Sequence, residues 1–257
     1  MTTAWTTDIA TDDAARSVRL TLLWGLDGVV LRTVGGARVP NVTEAPLRRR
    51  LADEEVPVLA VDPGLFEGDA ASRPSWLNDM AALDDVAAFG RRIGCSLVRV
   101  GALSHGSPDL EAAAEAFRQV AEQAHRLGIQ LAIRNDAETS VASGARLAAL
   151  LSAIGHASVG ADWRPADALA AGEDPASGLA ALLDAGYVPS CVGVRDLDGG
   201  EEAILGDGDV AWERQLALLA SSSFGGPLVV DGLPQPVRPS GLASATTLIR
   251  LRRAAAG

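Results

Sequence analysis

Four short apolar runs in this chain each end on a charge: Leu131-Ala132-Ile133-Arg134, Val159-Gly160-Ala161-Asp162, Val192-Gly193-Val194-Arg195 and Leu228-Val229-Val230-Asp231. A carboxylate accepts protons, and a guanidinium holds a negative oxygen through two-pronged hydrogen bonds. Brought together, such groups can draw a proton from carbon and stabilise the oxyanion that results. Brief apolar stretches of this kind read as parallel strands covered by helices, and ligands gather where such strands finish.

Composition narrows the chemistry. All 22 basic residues are arginines, so Schiff-base mechanisms and a phosphate-loop lysine are excluded. A formal net charge of -11 argues against a nucleic-acid partner, which needs a basic surface. Cys95 and Cys191 fit no CxxC or zinc spacing and read as buried free thiols. The amino terminus lacks the basic start and apolar core of a signal peptide, and no apolar run is long enough to cross a bilayer. A cytoplasmic location without membrane association is expected.

The elements that must position these charges alternate along the whole chain of 257 residues, with no polar linker to divide residues 1–257 into two domains. Strands are expected over Ala4–Ile9, Gly28–Arg32, Val56–Val61, Leu97–Val100, Ile129–Ile133, Ser158–Ala161, Val188–Val194 and Pro227–Val230. Helices are expected over Thr11–Trp24, Leu47–Asp53, Trp76–Ile93, Asp109–Leu127, Ser143–Ile154, Trp212–Ser222 and Ser240–Arg253, with a broken helical region over Pro165–Ala185. Gly25, Gly94 and Gly128 occupy stop positions. Eight strand and helix pairs in about 250 residues give the count of a closed (β/α)8 TIM barrel. The rival open doubly wound sheet often carries a glycine-rich first turn, which the opening strand lacks.

GIQLAIRND (128–136), SVGADW (158–163), CVGVRDLDG (191–199), LGDGDVAW (205–212) and GPLVVDG (226–232) follow one another in an order and at distances that resemble the xylose-isomerase-like TIM barrels. That family comprises sugar and sugar-phosphate isomerases and epimerases related to endonuclease IV. WGLDGVVLR (24–32) looks like its second strand. The resemblance implies a divalent ion (Mn, Mg or Zn) held by two glutamates, an aspartate and a histidine. At the corresponding positions this chain has Arg134 for the first glutamate, Asp162 for the aspartate, Pro165 and Gly193 for histidines, Asp231 for the last glutamate and Val30 for an acid.

If Asp162 points inward as in the family, strand alternation turns Gln130, Ala132, Arg134, Gly193, Arg195, Arg99, Gly101, Val30, Arg32 and Asp231 inward. Val98, Val100, Leu131, Ile133, Val159, Val192, Val194, Leu228 and Val230 then meet the helices. Arg32, Arg99, Arg134 and Arg195 would converge with Asp162 and Asp231. A guanidinium has no acceptor for a metal, and two unit charges about 4 Å apart repel by about 4 kcal/mol at an effective dielectric near 20, roughly doubled for a divalent ion. No metal ligand is therefore assigned and no cofactor is expected.

In the catalytic reading, Asp231 accepts the proton, Arg134 replaces the cation and Asp162 orients an arginine or a substrate hydroxyl. Arg99, Arg195, Arg32, His105 in the loop after the fourth strand, and Trp163 as a stacking face, bind substrate. In the structural reading, Arg99 and Arg195 pair with Asp162, Asp196 or Asp231 simply to satisfy buried charge. The expected function is isomerase- or epimerase-like action on a small polar, sugar-like or anionic metabolite with the family's metal site degraded. The alternative is a regulatory or small-molecule-binding barrel that has lost catalysis. A DNA-repair endonuclease needs a histidine-rich multinuclear site, and this chain has three histidines. Association into a homo-oligomer through mouth loops or exposed helices is left open.

Overall fold

The computed structural model describes residues 1–105 and 109–255. Eight parallel strands close into a barrel in chain order: β1 (Thr2–Thr6), β2 (Gly28–Leu31), β3 (Val58–Val61), β4 (Leu97–Val100), β5 (Gln130–Arg134), β6 (Val159–Trp163), β7 (Cys191–Val194) and β8 (Pro227–Val230). The helices are α1 (Ala14–Leu23), α2 (Glu44–Asp53), α3 (Arg73–Ile93), α4 (Leu110–Leu127), α5 (Gly144–Ile154), α6 (Pro165–Ala170), α7 (Pro175–Asp184), α8 (Trp212–Ser221) and α9 (Val237–Ala255). This is a (β/α)8 TIM barrel. Among the described residues no helix is long and apolar enough to cross a membrane.

Local chemistry sets the boundaries. Asp13, Ser143 and Asp174 accept backbone N–H groups at the starts of α1, α5 and α7, and Gly94, Gly128 and Gly155 end α3, α4 and α5 in the left-handed conformation. The first strand begins at Thr2, earlier than the expected Ala4, because Thr2 and Thr3 pair with Pro227 and Leu228 and so close the barrel. It stops at Thr6, before a turn at Asp8 that takes φ of 56°. The seventh strand starts at Cys191 and not at Val188. Two hairpins lay outside the expected elements: Thr33–Val34 with Ala37–Arg38, and Asp196–Asp198 with Glu201–Ala203.

The core has two compartments. Ala4, Val30, Ala60 and Val229 form a small apolar plug inside the barrel. Val98, Val100, Leu131, Ile133, Val159, Val192, Val194, Leu228 and Val230 lie in the larger core that also takes in the helices. The inward and outward sorting by strand alternation therefore holds. The loop LGDGDVAW is a capped turn: buried Asp196 accepts N–H groups from Gly206 at 2.8 Å and Val210 at 3.0 Å.

Candidate functional site

Directly above the apolar plug, where the strands end, the interior turns ionic. Arg99 of β4 is fully buried, and its guanidinium grips Asp162 of β6 in two-pronged fashion, Nε to Oδ2 at 2.8 Å and Nη2 to Oδ1 at 3.2 Å. The same Nη2 donates to Asp231 Oδ2 at 2.8 Å. Arg164 completes the group, its Nε 3.5 Å from Asp162 and its Nη2 3.6 Å from Asp231. Two guanidinium groups and two carboxylates balance, which is what makes burying them tolerable. The Cys191 thiol adds a 3.1 Å contact to Asp162 Oδ1. Burial and the Asp162 carboxylate push that thiol well above its usual range, so it stays protonated.

Gly193 of β7 makes this packing possible. A Cβ there would lie 2.8 Å from Asp231 Oδ2 and 3.0 Å from Arg164 Cγ, with Arg99 Nη2 at 3.5 Å. Asp231 is pinned by Arg99 and cannot simply give way. Gly193→Ala is expected to cost about 1–3 kcal/mol, the usual toll of overpacking, in urea unfolding. An unchanged midpoint would mean the quartet is looser than its distances indicate.

Two further ion clusters flank the quartet. On one side Asp62, just beyond β3, accepts from Arg38 Nη2 at 2.8 Å and faces Arg134 Nη1 at 3.7 Å, while Arg134 Nη2 binds Glu67 at 2.5 Å. On the other, Arg195 lies between two carboxylates, with Nη2 to Asp167 Oδ1 at 3.0 Å and Nη1 to Glu202 Oε1 at 3.2 Å. Arg195 Nε and Glu202 Oε2 are buried without a hydrogen-bond partner, and so is Arg164 Nε.

Of the arginines expected to converge, only Arg99 reaches both Asp162 and Asp231. Arg134 turns to Asp62 and Glu67, so it does not stand at the centre in place of a cation. Arg195 pairs with Asp167 and Glu202, and not with Asp162, Asp196 or Asp231. Arg32 holds Asp8, Nε to Oδ1 at 2.8 Å. His105 is exposed and borders a cavity of about 30 Å³ with Glu67, Arg134 and Asp136, room for about one water. Trp163 faces away from the mouth: it is fully buried in the outer core, and its Nε1 donates to Gln215 Oε1 at 3.0 Å. It has no exposed face on which a sugar could stack.

Burial alone would raise the Asp162 and Asp62 carboxyls, but the facing guanidinium groups outweigh it and hold both below the ordinary 3.8. Burial wins at Asp167 and Glu202, which are raised, with Asp231 adding to both shifts. The signs differ. Lowered folded values give stability that is present above 3.8 and lost as pH falls beneath it; raised values mean that protonation on the way down favours the native state. Stability is expected to rise slightly from neutral towards mildly acidic pH and to collapse below about 3.8. Urea midpoints across that range check this, and Asp167→Asn/Glu202→Gln should shrink the rise to the part that Asp79, also raised by burial, contributes.

The divalent ion that the resemblance implies would meet donors that are already engaged. Both Asp162 oxygens and Asp231 Oδ2 already face a guanidinium, and no cluster of three or more His, Cys, Asp or Glu suited to an ion occurs among the described residues. The residues present do not fit that ion.

A family pattern described as "Xylose isomerase-like TIM barrel" matches residues 18–247. No curated protein matches the chain. Among solved structures, an L-ribulose 3-epimerase superposes with a TM-score of 0.81 at 16% identity, covering 99% of this chain and 95% of that one. A xylose isomerase domain protein from Alicyclobacillus acidocaldarius superposes at 0.77 and 20% identity, covering 100% of both chains. A D-psicose 3-epimerase superposes at 0.76 and 12% identity, again covering 100% of both. The barrel, its strand order and the match over most of its length place this chain in the xylose isomerase-like TIM barrel family.

Proposed function

We propose that this chain is an isomerase- or epimerase-like enzyme that moves a proton on the carbon beside a carbonyl of a small polyhydroxy metabolite, without a divalent ion. The observation that carries the reading is the Asp167–Arg195–Glu202 sandwich beside Arg164 at the strand ends. It sets carboxyls raised towards proton exchange next to fixed positive charge. Glu202, about one-third exposed, accepts the proton from carbon. The electron pair passes to the carbonyl oxygen, and Arg164 and Arg195 stabilise the negative oxygen. Return of the proton from Glu202 to the former carbonyl carbon, as the proton of the neighbouring hydroxyl passes to the oxygen that the two arginines hold, gives the isomerised product with every atom retained. Asp162 and Asp231 act one step removed, by fixing Arg99 and Arg164.

The charges at the mouth favour an uncharged substrate over the anion expected from the arginines alone. Arg38, Arg99, Arg134, Arg164 and Arg195 face Asp62, Glu67, Asp162, Asp167, Glu202 and Asp231, five against six. An anion would have to displace a carboxylate. The epimerase neighbours support the reaction class by analogy of fold.

A binding barrel without turnover is the second reading, favoured by how completely Arg99 occupies Asp162 and Asp231. Incubating the protein with aldoses and ketoses in deuterated water separates the two. Deuterium entering a carbon-bound position supports the enzyme; ligand-induced stabilisation with no exchange supports the binding protein.

A further inference from the structure

The arginines of the strand-end clusters, Arg38, Arg99, Arg134, Arg164 and Arg195, each have a carboxylate within 4.0 Å, whereas another group of arginines gathers around a cavity without one. Between α1 and the start of α9 lies a cavity of about 290 Å³, bordered by Arg16, Arg19 and Arg238 together with Thr11, Leu20 and Leu23. Arg16, Arg19, Leu20 and Leu23 follow the i, i+3, i+4, i+7 spacing of one helix face, so α1 itself aligns them. No carboxylate pairs with any of the three arginines among the described residues. The loop before α1 carries Asp12 and Asp13, neither of which forms an ion pair with these arginines, and Asp13 spends an oxygen capping α1 through the Arg16 N–H at 2.8 Å. In a chain with a net charge of -11, three convergent and uncompensated guanidinium groups are a local reversal of sign.

The same two helices expose apolar surface. Leu22, Leu23 and Leu242 are 49%, 66% and 50% exposed, three of the four exposed large hydrophobic side chains described in the molecule. Leu23 borders the cavity, and Leu242 lies one turn beyond Arg238 on α9. Charge for an anion and carbon for an apolar flank therefore adjoin. The volume is near the lower bound of about 300 Å³ for ligand clefts.

We propose that this cavity binds a small organic phosphate, its phosphoryl oxygens taken by Arg16, Arg19 and Arg238 and its carbon portion laid against Leu20 and Leu23. Guanidinium forks match phosphoryl oxygens in geometry, and three of them exceed the charge of a single dianion. The site is separate from the strand-end clusters and does not depend on what those catalyse.

Titration calorimetry with inorganic phosphate and with phenyl phosphate, at constant ionic strength, tests the proposal. Both are expected to bind saturably at one equivalent, phenyl phosphate the more tightly. Arg16→Gln/Arg19→Gln/Arg238→Gln should weaken both at least tenfold while leaving the thermal midpoint and any solvent-exchange activity unchanged, since these side chains are exposed and unpaired. Arg49→Gln, within the Arg48–Arg50 run on α2 and away from this cavity, should leave binding intact. Absence of saturable binding, or equal binding by the triple variant, overturns the proposal. So does self-association that the triple variant abolishes while phosphate binding is missing, because the patch would then be an interface between copies.

Discussion

Arg99→Met is expected to destabilise the barrel by about 3–5 kcal/mol, the cost of leaving buried carboxylates without their counter-charge. Arg99 makes the only contacts shorter than 3.5 Å from a guanidinium to either Asp162 or Asp231 among the described residues, and it does so with no exposure to solvent. For a chain of this size the thermal midpoint should fall by about 10 °C. Adding manganese or magnesium should then recover part of the loss in the variant and nothing in the wild type, because two carboxylates, Asp162 and Asp231, would be left sharing Arg164 as their one facing guanidinium. Neutralising both acids as well, with Asp162→Asn and Asp231→Asn, should restore much of the stability. Urea unfolding with and without the ion measures all three. A variant as stable as the wild type would show that the buried pairs contribute nothing.

The second large effect concerns the proposed chemistry. Glu202→Gln should reduce deuterium incorporation by about 10²-fold or more, the usual scale for removing a proton-transfer group, while changing stability by less than about 1 kcal/mol. Glu202 is suited to this test because its side chain is partly exposed and Arg195 keeps Asp167 as a partner when the charge is removed. Asp231→Asn is a poorer test of catalysis: it weakens the hold on Arg99, so lost turnover would confound chemistry with folding. Full exchange by Glu202→Gln, with none by a correctly folded Asp231 variant, would move the proton-handling role to Asp231. Loss of exchange without loss of ligand binding is the result that supports Glu202.

The barrel was legible because alternation and periodicity are local. Apolar runs of four or five residues, joined by helices that glycines stop, give the strand count, and a period of two gives the facing of Arg99, Asp162 and Asp231. The partners of those charges were harder. Arg164 is readable by the same rule, since it stands two residues after Asp162, although it lies beyond the apolar run that marks the strand. Asp62 also ends an apolar run, Val58–Val61, but the Pro63-Gly64 that follows gives it the signature of a turn residue. Glu202 had no such signal, because it reaches Arg195 by way of a hairpin, Asp196–Ala203, whose strands are three residues each and mostly polar. Arg134 shows the limit of parity: alternation puts its Cβ on the inner wall, but a long side chain goes where the nearest acids are, and those were Asp62 and Glu67 on another loop.

The Arg99 guanidinium is covalent to the chain whose carboxylates it joins. A counter-charge of this kind is present at one equivalent from the moment of synthesis, is indifferent to chelators and cannot be exchanged for a competing ion. Any ion arriving at Asp162 and Asp231 would have to evict a group tethered to the same polypeptide, one that diffusion cannot carry away.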